Sequence, residues 1–167
     1  LSCEYEDINL SIKKCEEKRT DVTEVERCIT SAAFCNTKIL KKCGGFDEKM
    51  FIDIVDFDIC TTILENKYKI LKINYTGFFH EVGKSEIRKI LWKNVIIYNH
   101  SATRVYYYVR NSLYYIKKHK KHIKVFQEYK NLLKRIFLIV VFENNRIKKI
   151  IAIKKAIKDY RGMKNDS

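Results

Sequence analysis

The sequence predicts an all-α protein, with disulfide-stapled helical hairpins at the N-terminus packed on longer basic helices. Three observations carry that expectation. Proline is absent and glycine occurs only five times in 167 residues, so little interrupts a helix. Apolar residues recur at steps of three and four along much of the chain. Six cysteines, all within the first 60 residues, supply the staples. The alternative is α+β with a C-terminal hairpin. Residues 68–75, 104–110 and 136–142 are rich in β-branched and aromatic side chains, and Glu143-Asn144-Asn145-Arg146 resembles a hairpin turn between apolar runs.

Taken in order, Tyr5, Ile8, Ile12 and Cys15 form the apolar stripe of a first short helix. Asp21 with Glu24 has capping-box spacing and opens a second helix, on which Val25, Cys28, Ala32, Cys35 and Ile39 share a face. Gly44-Gly45 stops it. Asp47 caps a third helix carrying Phe51, Val55, Ile59 and Ile63. A fourth runs from Ser85 to Tyr98 with Ile87, Leu91, Val95 and Tyr98 inward. A long helix from Thr103 to Arg135 keeps Val105, Val109, Leu113, Ile116, Ile123, Phe126 and Leu133 near one stripe.

Charge divides the chain. Through Cys60 there are nine basic and thirteen acidic residues; beyond it there are 25 basic and seven acidic, within a total of +14. Two subdomains follow, an acidic cysteine-rich one over residues 1–65 and a basic cysteine-free one over 66–167, packed as one continuous body. No apolar run reaches the ~18 residues of a membrane span.

Cys3, Cys15, Cys28, Cys35, Cys43 and Cys60 are separated by 12, 13, 7, 8 and 17 positions. None of these gaps gives the paired spacing of a zinc knuckle or a C-x-x-C redox site. The even count reads as three bridges made in an oxidising compartment, with free buried thiols in a reducing one as the rival. Helical-hairpin geometry nests Cys15–Cys28 inside Cys3–Cys35 and leaves Cys43–Cys60, one of 15 pairings. The start at Leu1, with methionine only at 50 and 163, fits a secreted chain whose signal peptide has been removed.

The densest basic feature holds Lys117, Lys118, Lys120, Lys121 and Lys124, continued by Lys134 and Arg135 and, further on, by Lys148 and Lys149. If residues 117–135 are one helix, Lys117, Lys120, Lys121 and Lys124 line one side and form a polyanion-contacting surface. A solvated helix face over packed tyrosines is the plainer reading. His119-x-x-His122 lacks the glutamate of a zinc helix and stands among lysines, so no metal is expected. No nucleophile elbow, P-loop or dinucleotide fingerprint occurs, which points to a non-enzymatic protein without a cofactor.

Cys3, Tyr5 and Cys15 form a cysteine–tyrosine–cysteine element. Together with the lysine-, isoleucine- and tyrosine-rich composition, it resembles the bicycle-type secreted effectors of gall-forming aphids. The later cysteines enclose no tyrosine, so the resemblance covers the first segment. It implies delivery into host tissue and action by binding a host molecule, expected to be a host protein. The alternative is a polyanion binder, for glycosaminoglycan or nucleic acid, working through the basic C-terminal half.

Overall fold

The computed structural model describes residues 2–7, 21–80, 85–90 and 92–163. It is mixed α+β, which corrects the all-α expectation: among the described residues five helices stand beside a three-stranded and a two-stranded sheet. The chain divides into two compact units. The first comprises residues 1–49 and 55–82, the second residues 50–54 and 83–167. The charge shift at Cys60 therefore falls inside the first unit.

In the first unit, β1 (Ser2–Asp7), β2 (Val22–Glu24) and β3 (Leu71–His80) form a sheet with β3 central. β1 runs parallel to β3 with register shifts on both sides of Glu4, and β2 runs antiparallel to it. Hydrogen bonds from Val25 N to Ile70 O (2.9 Å) and from Asn74 N to Asp21 O (3.0 Å) extend the β2–β3 pairing. The helix expected from Asp21 to Ile39 is absent because Val22 and Thr23 pair with β3 and Ala32 adopts a left-handed conformation (φ 54°). Only α1 (Thr37–Lys42) is helical, and it is capped by Asn36, whose Oδ1 accepts from Lys38 N and Ile39 N. Gly44 and Gly45 end it as expected. Both have positive φ, and Gly45 N donates back to Leu40 O. The first expected helix, built on Tyr5, Ile8, Ile12 and Cys15, begins in strand β1 and continues outside the described residues.

The expected third helix starts later than Asp47. Asp47 accepts from Lys49 N in a local turn, and α2 spans Val55–Glu65 with Ile59 and Cys60 buried. The 27–30 segment lies along α2 through three staggered contacts. The Arg27 guanidinium sits 4.9 Å over the Phe57 ring, Cys28 meets Cys60, and Thr30 donates to Asp56 from both its N–H and its hydroxyl.

In the second unit, residues 85–98 form a hairpin rather than a helix, with β4 (Glu86–Ile90) paired to β5 (Lys93–Ile97). Ile87 pairs with Ile96 and Val95 with Arg88, so Ile87 and Val95 face opposite sides of the hairpin instead of sharing one inward stripe; Leu91 lies outside the described residues. The hairpin expected near residue 143 is instead a turn between helices.

The expected long helix breaks in two. α3 (Ala102–Lys118) stops at His119, a short turn follows, and α4 (Val125–Phe142) resumes; α5 (Arg146–Gly162) completes the helical set. Val105, Val109, Leu132, Ile139, Ile153 and Ala156 form the core that joins the three helices. α3 and α5 run side by side in the same sense, tied by Tyr106 Oη donating to Asp159 (2.8 Å) and Lys117 Nζ to Met163 O. Residues 50–54 belong to this unit through α3. Asn111 is fully buried and donates to Ile52 O (2.8 Å) and Asp53 O (3.2 Å), and Arg104 pairs with Asp53 (3.1 Å).

Candidate binding surface

α4 is more apolar than one buried face requires. Nine of the eleven residues from Leu132 to Phe142 are hydrophobic. Leu132 and Ile139 enter the core. On another side Phe126, Leu133 and Phe137 are 82%, 64% and 58% exposed, with Tyr129 and Val141 continuing the line. Their steps of three and four place them in one stripe about 22 Å long, at ~1.5 Å per residue. Lys130 and Lys134, both exposed, border it. α5 presents Ile147 and Ile151, exposed by 76% and 62%, ahead of exposed Lys154 and Lys158 on the same side.

A charged cluster fixes the turn between these helices. Glu143 is fully buried and accepts from Lys149 Nζ at 2.7 Å; Arg135 Nη2 lies 2.8 Å from its other oxygen, close enough to pair but without hydrogen-bond alignment. The Arg135 guanidinium also covers Tyr98 at 4.7 Å, and Arg88 Nη1 donates to Phe142 O. Each contact orients the C-terminal end of α4 and so holds the apolar stripe in place.

The nine basic residues singled out from sequence are dispersed. Lys117 and Lys118 close α3, whereas Lys120, Lys121 and Lys124 lie in the α3–α4 turn and do not line a helix. Lys134 is exposed on α4 and Lys148 on α5. Arg135 and Lys149 are engaged with buried Glu143. Phe126 and Leu133, expected to hold the basic helix down, instead face solvent. Ile116 is buried as expected, and so is His119, whose ring meets Tyr115 at 5.1 Å; His122 is exposed. Among the described residues no His, Cys, Asp or Glu group is arranged to hold a metal ion.

At the N-terminal ends of α3 and α5 there is a hollow of about 620 Å³, lined by His100, Ser101, Arg104, Asn145, Lys148 and Lys149. Helix N-termini favour anions, but Arg104 and Lys149 are already matched by Asp53 and Glu143. Burial, reinforced by the nearby Arg104 charge, pushes His100 down to about 4, so this ring is neutral at pH 7.

In the first unit, an apolar cavity of about 310 Å³ is lined by Cys28, Phe34, Cys35, Phe46, Ile59 and Cys60, among others. Cys3, Cys28, Cys35, Cys43 and Cys60 are thiols here, and Cys15 lies outside the described residues. The sulfurs of Cys28 and Cys60 are 3.8 Å apart.

Among the described residues no helix is long and apolar enough to cross a membrane. No family model, curated protein or solved structure matches this chain.

The α4 stripe is hidden in the sequence because Phe126 and Leu133 fit the same inward stripe as Val105, Val109, Leu113, Ile116 and Ile123. The available signal was the excess: a helix apolar on two sides needs two partners.

Proposed function

We propose that this is a secreted, non-enzymatic effector whose helical unit binds a host protein through the exposed stripe of α4. The observation that carries the reading is the row Phe126, Leu133 and Phe137, large apolar side chains left in water along one helix. Aromatic and aliphatic anchors of this kind dominate protein interfaces once a partner removes them from solvent.

Charge narrows the partner. The helical unit carries 22 Lys and Arg against six Asp and Glu, a net of +16. A second copy of the chain would bring like charge against like charge. An amphipathic segment with apolar anchors and acidic flanks matches both the stripe and its bordering Lys130 and Lys134, and the basic α3–α4 turn would speed its approach. Secretion and action on a host rest on the cysteine arrangement and on the resemblance to aphid effectors.

The test compares wild type with Phe126→Asp/Leu133→Asp/Phe137→Asp as bait in extracts of candidate host tissue. Supporting evidence is a protein identified by mass spectrometry that is lost with the variant and binds purified wild type directly. Equal recovery with both baits counts against the stripe. Recovery of nucleic acid or glycosaminoglycan alone would favour polyanion binding.

A further inference from the structure

We propose that Cys28 and Cys60 are a redox pair that closes into a disulfide by exchange with a small disulfide of the glutathione class. The inference concerns the first unit and is independent of the α4 stripe. Its basis is geometric. The two sulfurs are 3.8 Å apart, and Cys60 Sγ also points at Cys28 O at 3.6 Å. The neighbouring contacts make this approach part of the fold: Asp56 and Cys60 lie one turn apart on α2, so the segment that places Thr30 on Asp56 places Cys28 on Cys60. The Arg27–Phe57 contact holds the same segment on its other side.

The two thiols are not equivalent. Cys60 is buried, whereas Cys28 is part-exposed and opens onto a second cavity of about 420 Å³ lined by Ser2, Cys3, Arg27, Phe57 and Lys72. The hydrogen bond from Cys60 draws the Cys28 thiol down to about 6, although burial opposes this; the same bond together with burial pushes Cys60 up. Cys28 is therefore the thiolate at neutral pH, and Cys60 keeps its proton.

The exchange balances in two steps. Cys28 Sγ attacks one sulfur of the small disulfide, forming a mixed disulfide and expelling one thiolate. Cys60 gives its proton to that leaving thiolate, and its sulfur attacks Cys28 Sγ; the Cys28–Cys60 bond forms and the second small thiolate departs, taking a proton from solvent. Two protein thiols are oxidised and one small disulfide is reduced to two thiols. The new bond pins the loop to α2 along one wall of the 310 Å³ cavity. This pairing is an alternative to the one drawn from helical hairpins, since it takes one partner from each of two bridges expected there.

The experiment uses the full chain, fully reduced, then exposed to oxidised glutathione near pH 7, alkylated, and mapped by peptide mass spectrometry without reduction. The expected result is a peptide pair joined through Cys28 and Cys60, with the thermal midpoint of the oxidised protein raised by several degrees. Cys60→Ser should stop at the first step and retain one glutathione on Cys28, a readout that needs no stability measurement. The proposal is overturned if Cys28 and Cys60 stay alkylated while other thiols oxidise. A bond from Cys28 to Cys3, Cys15 or Cys35 overturns it equally.

Discussion

Each of the two units is stabilised internally by different means. Among its described residues the first buries few large side chains, chiefly Ile59, Cys60 and Ile70, and it fixes its irregular 25–36 segment through a guanidinium on a ring, a thiol pair and a threonine on a carboxylate. The second packs three helices around Val105, Val109, Leu132, Ile139, Ile153 and Ala156 and buries a carboxylate with two cations at its last turn. The first unit therefore depends on point contacts that chemistry can switch. The second derives its rigidity from a continuous core, which lets it leave an apolar stripe in water without collapsing.

The largest effect should come from a charge placed at Ile116, a buried α3 residue outside that cluster. Ile116→Asp places an unpaired charge in a buried site, and the expected loss is about 4 kcal/mol or more, measured by urea unfolding followed through helical circular dichroism. Glu143→Ala comes next. It leaves Lys149 and Arg135 without their buried counter-charge and should cost about 3–5 kcal/mol. Adding Lys149→Met should recover part of that loss; no recovery would mean that the carboxylate acts through packing alone.

His100 gives a smaller, pH-dependent effect. Its folded value near 4 lies below the ordinary 6.5, so the unfolded chain takes up the proton first as pH falls. Stability should be unaffected by this group above pH 6.5 and decline from there to about pH 4. The loss is about 1–2 kcal/mol after allowance for partial exposure. His100→Gln should flatten that part of the profile.

The sequence was informative where periodicity was unambiguous. The buried row Val105, Val109 and Ile116 was legible, as was the glycine stop at Gly44-Gly45. Spacing of four misled at Ile87 and Val95, because the chain reverses between them and their faces are set by the cross-strand partners Ile96 and Arg88. The 21–39 region failed for a different reason. Val22 and Thr23 are committed to β3 about fifty residues away, and no local pattern records that partner. At the candidate surface the lysines were visible but their grouping was not. Local charge density could not reveal the turn at residues 119–124, nor the capture of Arg135 and Lys149 by Glu143.

Binding by the apolar stripe of α4, and not by charge alone, is measured with a defined probe. The probe is a 20-residue amphipathic peptide with leucines at i, i+3, i+4 and i+7 and glutamates elsewhere, set against a scrambled peptide of the same composition. Titration at about 0.05 M and about 0.5 M salt separates the two contributions, since screening at the higher concentration removes most exposed electrostatics. Wild type is expected to prefer the patterned peptide at both concentrations, and Phe126→Asp/Leu133→Asp/Phe137→Asp to abolish the preference while the thermal midpoint stays nearly unchanged. Equal binding of both peptides, vanishing at high salt and insensitive to the three substitutions, would contradict binding by the stripe.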